Sequence, residues 1–175
     1  MAINFGDGSI QSFSGKIIQV KRNLRSSGTT TSSSSAQDLL TIDFTPKSNS
    51  SVIHCQLTGV AYMQSEPGGI RVRFYDNTDG NRFGTSLGGD DPLVLRMDLQ
   101  GGHSGDVFSY AGITWRAQEA SWGATNVKQI KAQYYSAGGT VGFLNNHAPV
   151  TYTITEVQEG WVYLMTLKYF KLAKD

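Results

Sequence analysis

"QIKAQYYSAGGTVGFLNNHAPVTYTITEVQEG", residues 129–160, is the stretch that decides the fold. Three β-rich runs, "QIKAQYYS", "TVGFLNN" and "VTYTITEV", are parted by "AGG" and "HAP", and "QEG" leads into a fourth, "WVYLMTLKYFKL". β-Branched and aromatic residues fill the runs, and glycine or proline punctuates them. Gly138-Gly139 and Glu159-Gly160 offer the positive-φ positions that tight hairpins need, so an antiparallel meander is expected here.

Working outward, the same period of two recurs upstream. Leu40, Ile42 and Phe44 alternate with Thr41 and Asp43. Ile53, Cys55, Leu57, Gly59 and Ala61 share one face, and Ile70, Val72 and Phe74 alternate with Arg71 and Arg73. Leu93, Leu95, Met97 and Leu99 oppose Arg96 and Asp98, and Ala111, Ile113, Trp115 and Ala117 form another face. Such alternation is the mark of half-buried strands. "EASWGATNVKQI" fits no period and reads as a loop. About ten short strands and no convincing helix predict an all-β, antiparallel β-sandwich of jelly-roll type with an N-terminal arm. A closed barrel is the alternative.

The 175 residues suit one ordinary domain. Apolar content of 39% allows a core, and charged content of only 17% implies a surface made polar by serine, threonine, asparagine and glycine. Residues 1–22 form a leading arm with one strand candidate, "KIIQVKR". Residues 23–37, with "SSGTTTSSSSAQ", are a low-complexity linker, and residues 38–175 are the β domain. The start "MAINFGDGSIQSF" has no basic-then-apolar pattern, so no secretory leader is expected. No apolar run reaches the roughly 20 residues that cross a bilayer as a helix, so membrane insertion is not expected.

Net charge is +1, and "KRNLR" (residues 21–25) is the one basic cluster, reading as a solvated strand end; nucleic-acid binding is not expected. Cys55 is the single cysteine, in register with Ile53 and Leu57, and reads as core. His54, His103 and His147 are isolated, so no zinc site is expected. "YDNTDGN" (residues 75–81) has the residues of a turn and the wrong spacing for an EF-hand. Glu119, Glu156 and Glu159 are the carboxylates a glycosidase on this fold would draw on, with no sign that two converge. "GGHSGD" (residues 101–106) is a glycine-rich loop, since triad members come from distant segments. No enzyme activity and no cofactor are expected.

Surface binding remains. In "WVYLMTLKYF", Trp161, Tyr163, Met165, Leu167 and Tyr169 line one face while Val162, Leu164 and Phe170 line the other; both faces call for cover. Trp122 in its irregular stretch, with Arg82 and Phe83 in the long loop "DGNRFGTSLGGDDP" (residues 79–92), are candidates for receptor or glycan contact.

The order "INFGDGSIQSF", "KIIQVKR", a Ser/Thr-rich spacer, "DFTPKSNSSVIHCQLTGV" and finally "VTYTITEV" resembles small minor virion structural proteins of tailed phages, especially marine and cyanobacterial phages. "SSVIHC" departs from the pattern, in which a lysine usually follows the serines. The resemblance implies a capsid decoration or cement protein, or a short spike or tail-fibre component. Such a protein would be non-enzymatic, made in the host cytoplasm and placed on the virion. It would self-associate, often as a homotrimer, and bind other capsid or tail proteins. Its interface would combine the apolar strand face of Trp161 to Tyr169 with the leading segment. From that segment Ile3, Phe5, Ile10, Phe13, Ile17 and Ile18 would insert against a neighbour. The alternatives are a carbohydrate- or receptor-binding module meeting a host-surface glycan, and a jelly-roll glycan-degrading enzyme.

Overall fold

The computed structural model describes residues 2–4, 10–12, 15–49, 51–64, 68–83, 85–86, 92–99, 105–117, 126–144 and 149–159. All regular structure among them is β. The strands are β1 (Ala2–Asn4), β2 (Ile10–Ser12), β3 (Gly15–Arg25), β4 (Thr29–Thr31) and β5 (Gln37–Phe44). Next come β6 (Val52–Gln64), β7 (Gly68–Asp76), β8 (Asn81–Phe83), β9 (Thr85–Ser86) and β10 (Pro92–Leu93). The last five are β11 (Leu95–Leu99), β12 (Asp106–Ala117), β13 (Lys128–Ser136), β14 (Thr140–Leu144) and β15 (Val150–Glu159).

Every pairing is antiparallel. In the five-stranded sheet β13 lies between β5 and β7, and the far side of β7 takes β11 and then β8. The six-stranded sheet is organised by β6, the longest strand, and curls into a half-barrel. One edge of β6 pairs along its length with β12; the other edge takes β15 and then β14, end to end. Beyond these, β3 pairs with β15 and β4 with β14.

Consecutive strands rarely pair. β5, β7, β11 and β13 belong to the smaller sheet, and β6, β12 and β14 to the larger, so the chain changes sheet at each connection from β4 to β7 and from β10 to β14. The meander expected over residues 129–157 is therefore corrected: β13 and β14 lie in different sheets, and β14 and β15 share the same edge of β6. The turn at 137–139 has the expected glycines, with φ of 150° at Gly138 and 66° at Gly139. Ser136 Oγ closes it, donating to Gly139 O and accepting from Gly138 N. A period of two says which face is buried but not which strand lies alongside, and a tight turn serves a sheet change as well as a hairpin.

One core cluster takes residues from both sheets. Ile53, Cys55, Leu57, Ala61 and Met63 of β6 are almost wholly buried, as are Ile70, Val72 and Phe74 of β7. Aromatic pairs join the sheets: Phe74 stacks on Tyr152 at 5.5 Å, and Tyr134 meets Phe143 edge-on at 5.9 Å. Full burial of a side chain of this size contributes about 1.5–3 kcal/mol.

The segments expected as arm and linker contribute strands to the larger sheet. Residues 15–25 run as β3 beside β15, with a bulge opposite Glu156/Val157. Within the Ser/Thr-rich run, β4 lies so close to β14 that a Cβ on Gly142 would fall 2.0 Å from Thr29 O. Glycine is needed there for the close approach. Thr29 also hydrogen-bonds Tyr134 Oη at 2.9 Å, and Ser33 O accepts from Ser136 N. The first two strands form a separate two-stranded ladder, Ile3 opposite Gln11 and Asn4 opposite Ile10.

Candidate functional site on the outer face of the larger sheet

Odd-numbered residues of β6 and β12 enter the core, so even-numbered ones face out. Register places them in rows across the strands. Gly112, Thr58 and Thr151 form one row; Thr114, Gln56 and Thr153 form the next. On the other side of the glycine row lie Tyr110, Val60 and Leu144, followed by Phe108 opposite Tyr62. The face thus carries hydroxyls and amides in its middle and aromatic rings at one corner.

At that corner Tyr110 is 76% exposed and Phe108 54%. The Phe108 and Tyr62 rings lie 5.4 Å apart, tilted by 40°. Partial desolvation, followed by the charge and hydrogen bond of Asp106, pushes the Tyr62 phenol above its ordinary value. Tyr62 Oη donates to that carboxylate. Nothing lies within 4 Å of where a Cβ on Gly112 would sit. The glycine row is therefore a shallow trough, with Tyr110 on one wall and Thr114 and Gln56 on the other.

β3 forms the opposite edge and has the reverse polarity. Its inward side includes two amides: Gln19 Nε2 donates to Thr45 O and to Glu156, both at 2.6 Å, and Asn23 Nδ2 donates to Thr41 O at 2.8 Å. Its outward row is mostly apolar, with Ile17 60%, Val20 56% and Leu24 50% exposed and Arg22 between the last two.

Comparison of the chain with protein-family models, curated proteins and solved structures finds no match.

Among the expected interface residues, Ile17 is exposed on β3 and Ile18 is half-buried beside it. Ile3 and Ile10 sit in the β1–β2 ladder. Phe5, Phe13, Trp161, Tyr163, Met165, Leu167 and Tyr169 lie outside the described residues, as does Trp122. Arg82 is exposed on β8. Phe83 needs correcting as a glycan contact: it is 8% exposed and packs in the core cluster, because pairing with Phe74 turns it inward. The residues that sequence reasoning passed over are Tyr62, Phe108 and Tyr110. Their signal was "DVFSYAG", whose Phe and Tyr alternate out of phase with the neighbouring Val, Ala and Ile.

The remaining chemical candidates have structural roles. Glu156 is fully buried at the centre of "TPKSNSS" (residues 45–51). Oε1 accepts from Lys47 N at 2.8 Å, from Ser48 N at 3.3 Å and from Ser51 Oγ, while Oε2 accepts from Gln19. The carboxylate holds the loop between β5 and β6 shut. Asp76 Oδ1 accepts from Thr78 N and Asp79 N, an Asx turn completed by Gly80 at φ 76°, and Lys128 pairs with Asp79. Burial pushes the Cys55 thiol up to about 12, against the lowering effect of a hydrogen bond from Tyr152. Arg71, expected to face solvent, is buried against Asp98 at 2.6 Å. Desolvation raises the Asp98 pKa, but hydrogen bonds from Arg96 and Arg71, with their charges, hold it below its ordinary value.

Proposed function

We propose that the protein is a non-enzymatic structural module that self-associates through the outward face of β3. The observation that carries this reading is Ile17, Val20 and Leu24, three large apolar side chains at least half exposed on the outward face of a terminal strand, with Arg22 between the last two. Scattered exposed apolar residues are ordinary, but a row on an edge strand is a surface that association covers. The architecture that goes with it is a jelly-roll β-sandwich, whose leading residues form an arm continuing into β3.

The resemblance of "INFGDGSIQSF", "DFTPKSNSSVIHCQLTGV" and "VTYTITEV" to minor virion proteins of tailed phages supports a place on a virus particle. The role is that of a capsid decoration or cement protein, or of a short spike or fibre component, in a homotrimer seated on other capsid or tail proteins. Interface burial is then the mechanism, about 1,600 Å² for a standard contact.

Light scattering of the full chain tests the association. A mass three times that of the 19.1 kDa chain is expected. Joint replacement of Ile17, Val20 and Leu24 by lysine should return it to one copy. A monomer at all concentrations would end this reading. Detection of the protein in purified phage particles tests the placement.

A further inference from the structure

We propose that the trough on the outer face of the larger sheet is a binding site for a neutral oligosaccharide. It lies across β12, β6 and β15, and its floor row Gly112, Thr58 and Thr151 ends beside Leu24 of β3, so the two proposed surfaces share one edge of this face. The aromatic corner alone would suit any apolar partner. What selects a saccharide is the combination around it.

A sugar ring presents C–H groups on one face and hydroxyls around its rim, so it needs a ring to lie against and uncharged donors and acceptors beside it. Tyr110 supplies the exposed ring. Opposite it, Thr114 and Gln56 supply a hydroxyl and an amide, with Thr58 and Thr151 on the floor. Gly112 leaves open the space that any other residue would fill. Strand rise puts the Tyr110 and Thr114 Cα atoms about 13 Å apart, leaving a groove between rows. The floor and facing wall are glycine, threonine hydroxyls and a glutamine amide, all uncharged, which suits a neutral saccharide. The charged side chains of this face, Arg22 beside Thr153, Arg116 one row on and Asp106 at the aromatic corner, stand around it.

The test is an amide NMR titration of the full chain with four neutral probes: maltohexaose, cellohexaose, xylohexaose and mannohexaose. At least one should move the Thr58, Gly112 and Thr151 resonances in the millimolar range or below. Gly112→Thr fills the trough with a residue that strands favour, and it should weaken binding at least about tenfold with the fold intact. Tyr110→Ala should do the same and leave the light-scattering mass unchanged. Three results would overturn the proposal: no probe shifts these amides, binding is indifferent to Gly112→Thr, or Tyr110→Ala lowers the mass, which would make the face an interface between copies. A loss of association in an Ile17→Lys, Val20→Lys variant that keeps Leu24 beside Thr151, with saccharide binding retained, would separate this proposal from the previous one.

Discussion

β3 and β12 hold comparable positions in the same sheet and solve the problem of attachment in opposite ways. Each is 11 or 12 residues long, and each pairs with one neighbour among the described residues. β12 is conventional: Ala111 and Ile113 enter the core, and its outward side chains include Thr114 and Arg116. β3 is inside out. Amides of Gln19 and Asn23 face inward and reach carbonyls of the β5 region, while Ile17, Val20 and Leu24 face out. The difference teaches that β12 is fastened by burial and β3 by ladder and side-chain hydrogen bonds. The apolar surface left over on β12 is aromatic, Phe108 and Tyr110 at one end, and that on β3 is aliphatic, Ile17, Val20 and Leu24.

The largest effect should come from cutting into the conventional edge. Ile113→Ala is expected to cost about 2–4 kcal/mol in urea unfolding. Val20→Ala, a similar truncation on β3, should stay within about 0.5 kcal/mol when unfolding is measured at a concentration where the protein is monomeric. Equal costs would erase the distinction between the two edges.

Glu156→Gln comes next, at about 2–3 kcal/mol. Glutamine keeps one acceptor oxygen and puts an NH2 at the other position, facing either Lys47 N, Ser48 N and Ser51 Oγ or Gln19 Nε2 and Lys47 N, so one set of buried donors loses its acceptor. Denaturation midpoints will show it, together with faster amide exchange in residues 47–51.

Gln19→Ala should be the smallest, about 1 kcal/mol. Its signature is local: exchange quickens along β3 and is unchanged in β12, because the lost hydrogen bonds tie β3 alone to Thr45 and Glu156.

Much of this architecture is legible in the sequence. The alternations at 40–44, 53–61, 70–74 and 111–115 name the buried faces correctly, and Cys55 falls in the core as its register demands. Partners are not legible, since the same alternation serves a hairpin and a change of sheet; hence the failed meander. Glu156 finds Lys47 109 residues away, a distance no local pattern spans. Arg71 alternates like a solvent-facing residue, yet Asp98 draws it under cover. β3 is legible only in part: "KIIQVKR" reads as a strand with Ile17 and Ile18 set against a neighbour, and the fold adds that Ile18 is half-buried while Val20 and Leu24 point outward.

Maleimide labelling of engineered thiols tests the contrast between the two edges most directly. Cys55 is fully buried and its thiol is pushed up to about 12, so it leaves the background silent. A Val20→Cys thiol should react quickly in dilute protein and slowly in concentrated protein, while Tyr110→Cys should react at one rate in both. A Val20→Cys thiol that reacts equally fast at every concentration would contradict the account.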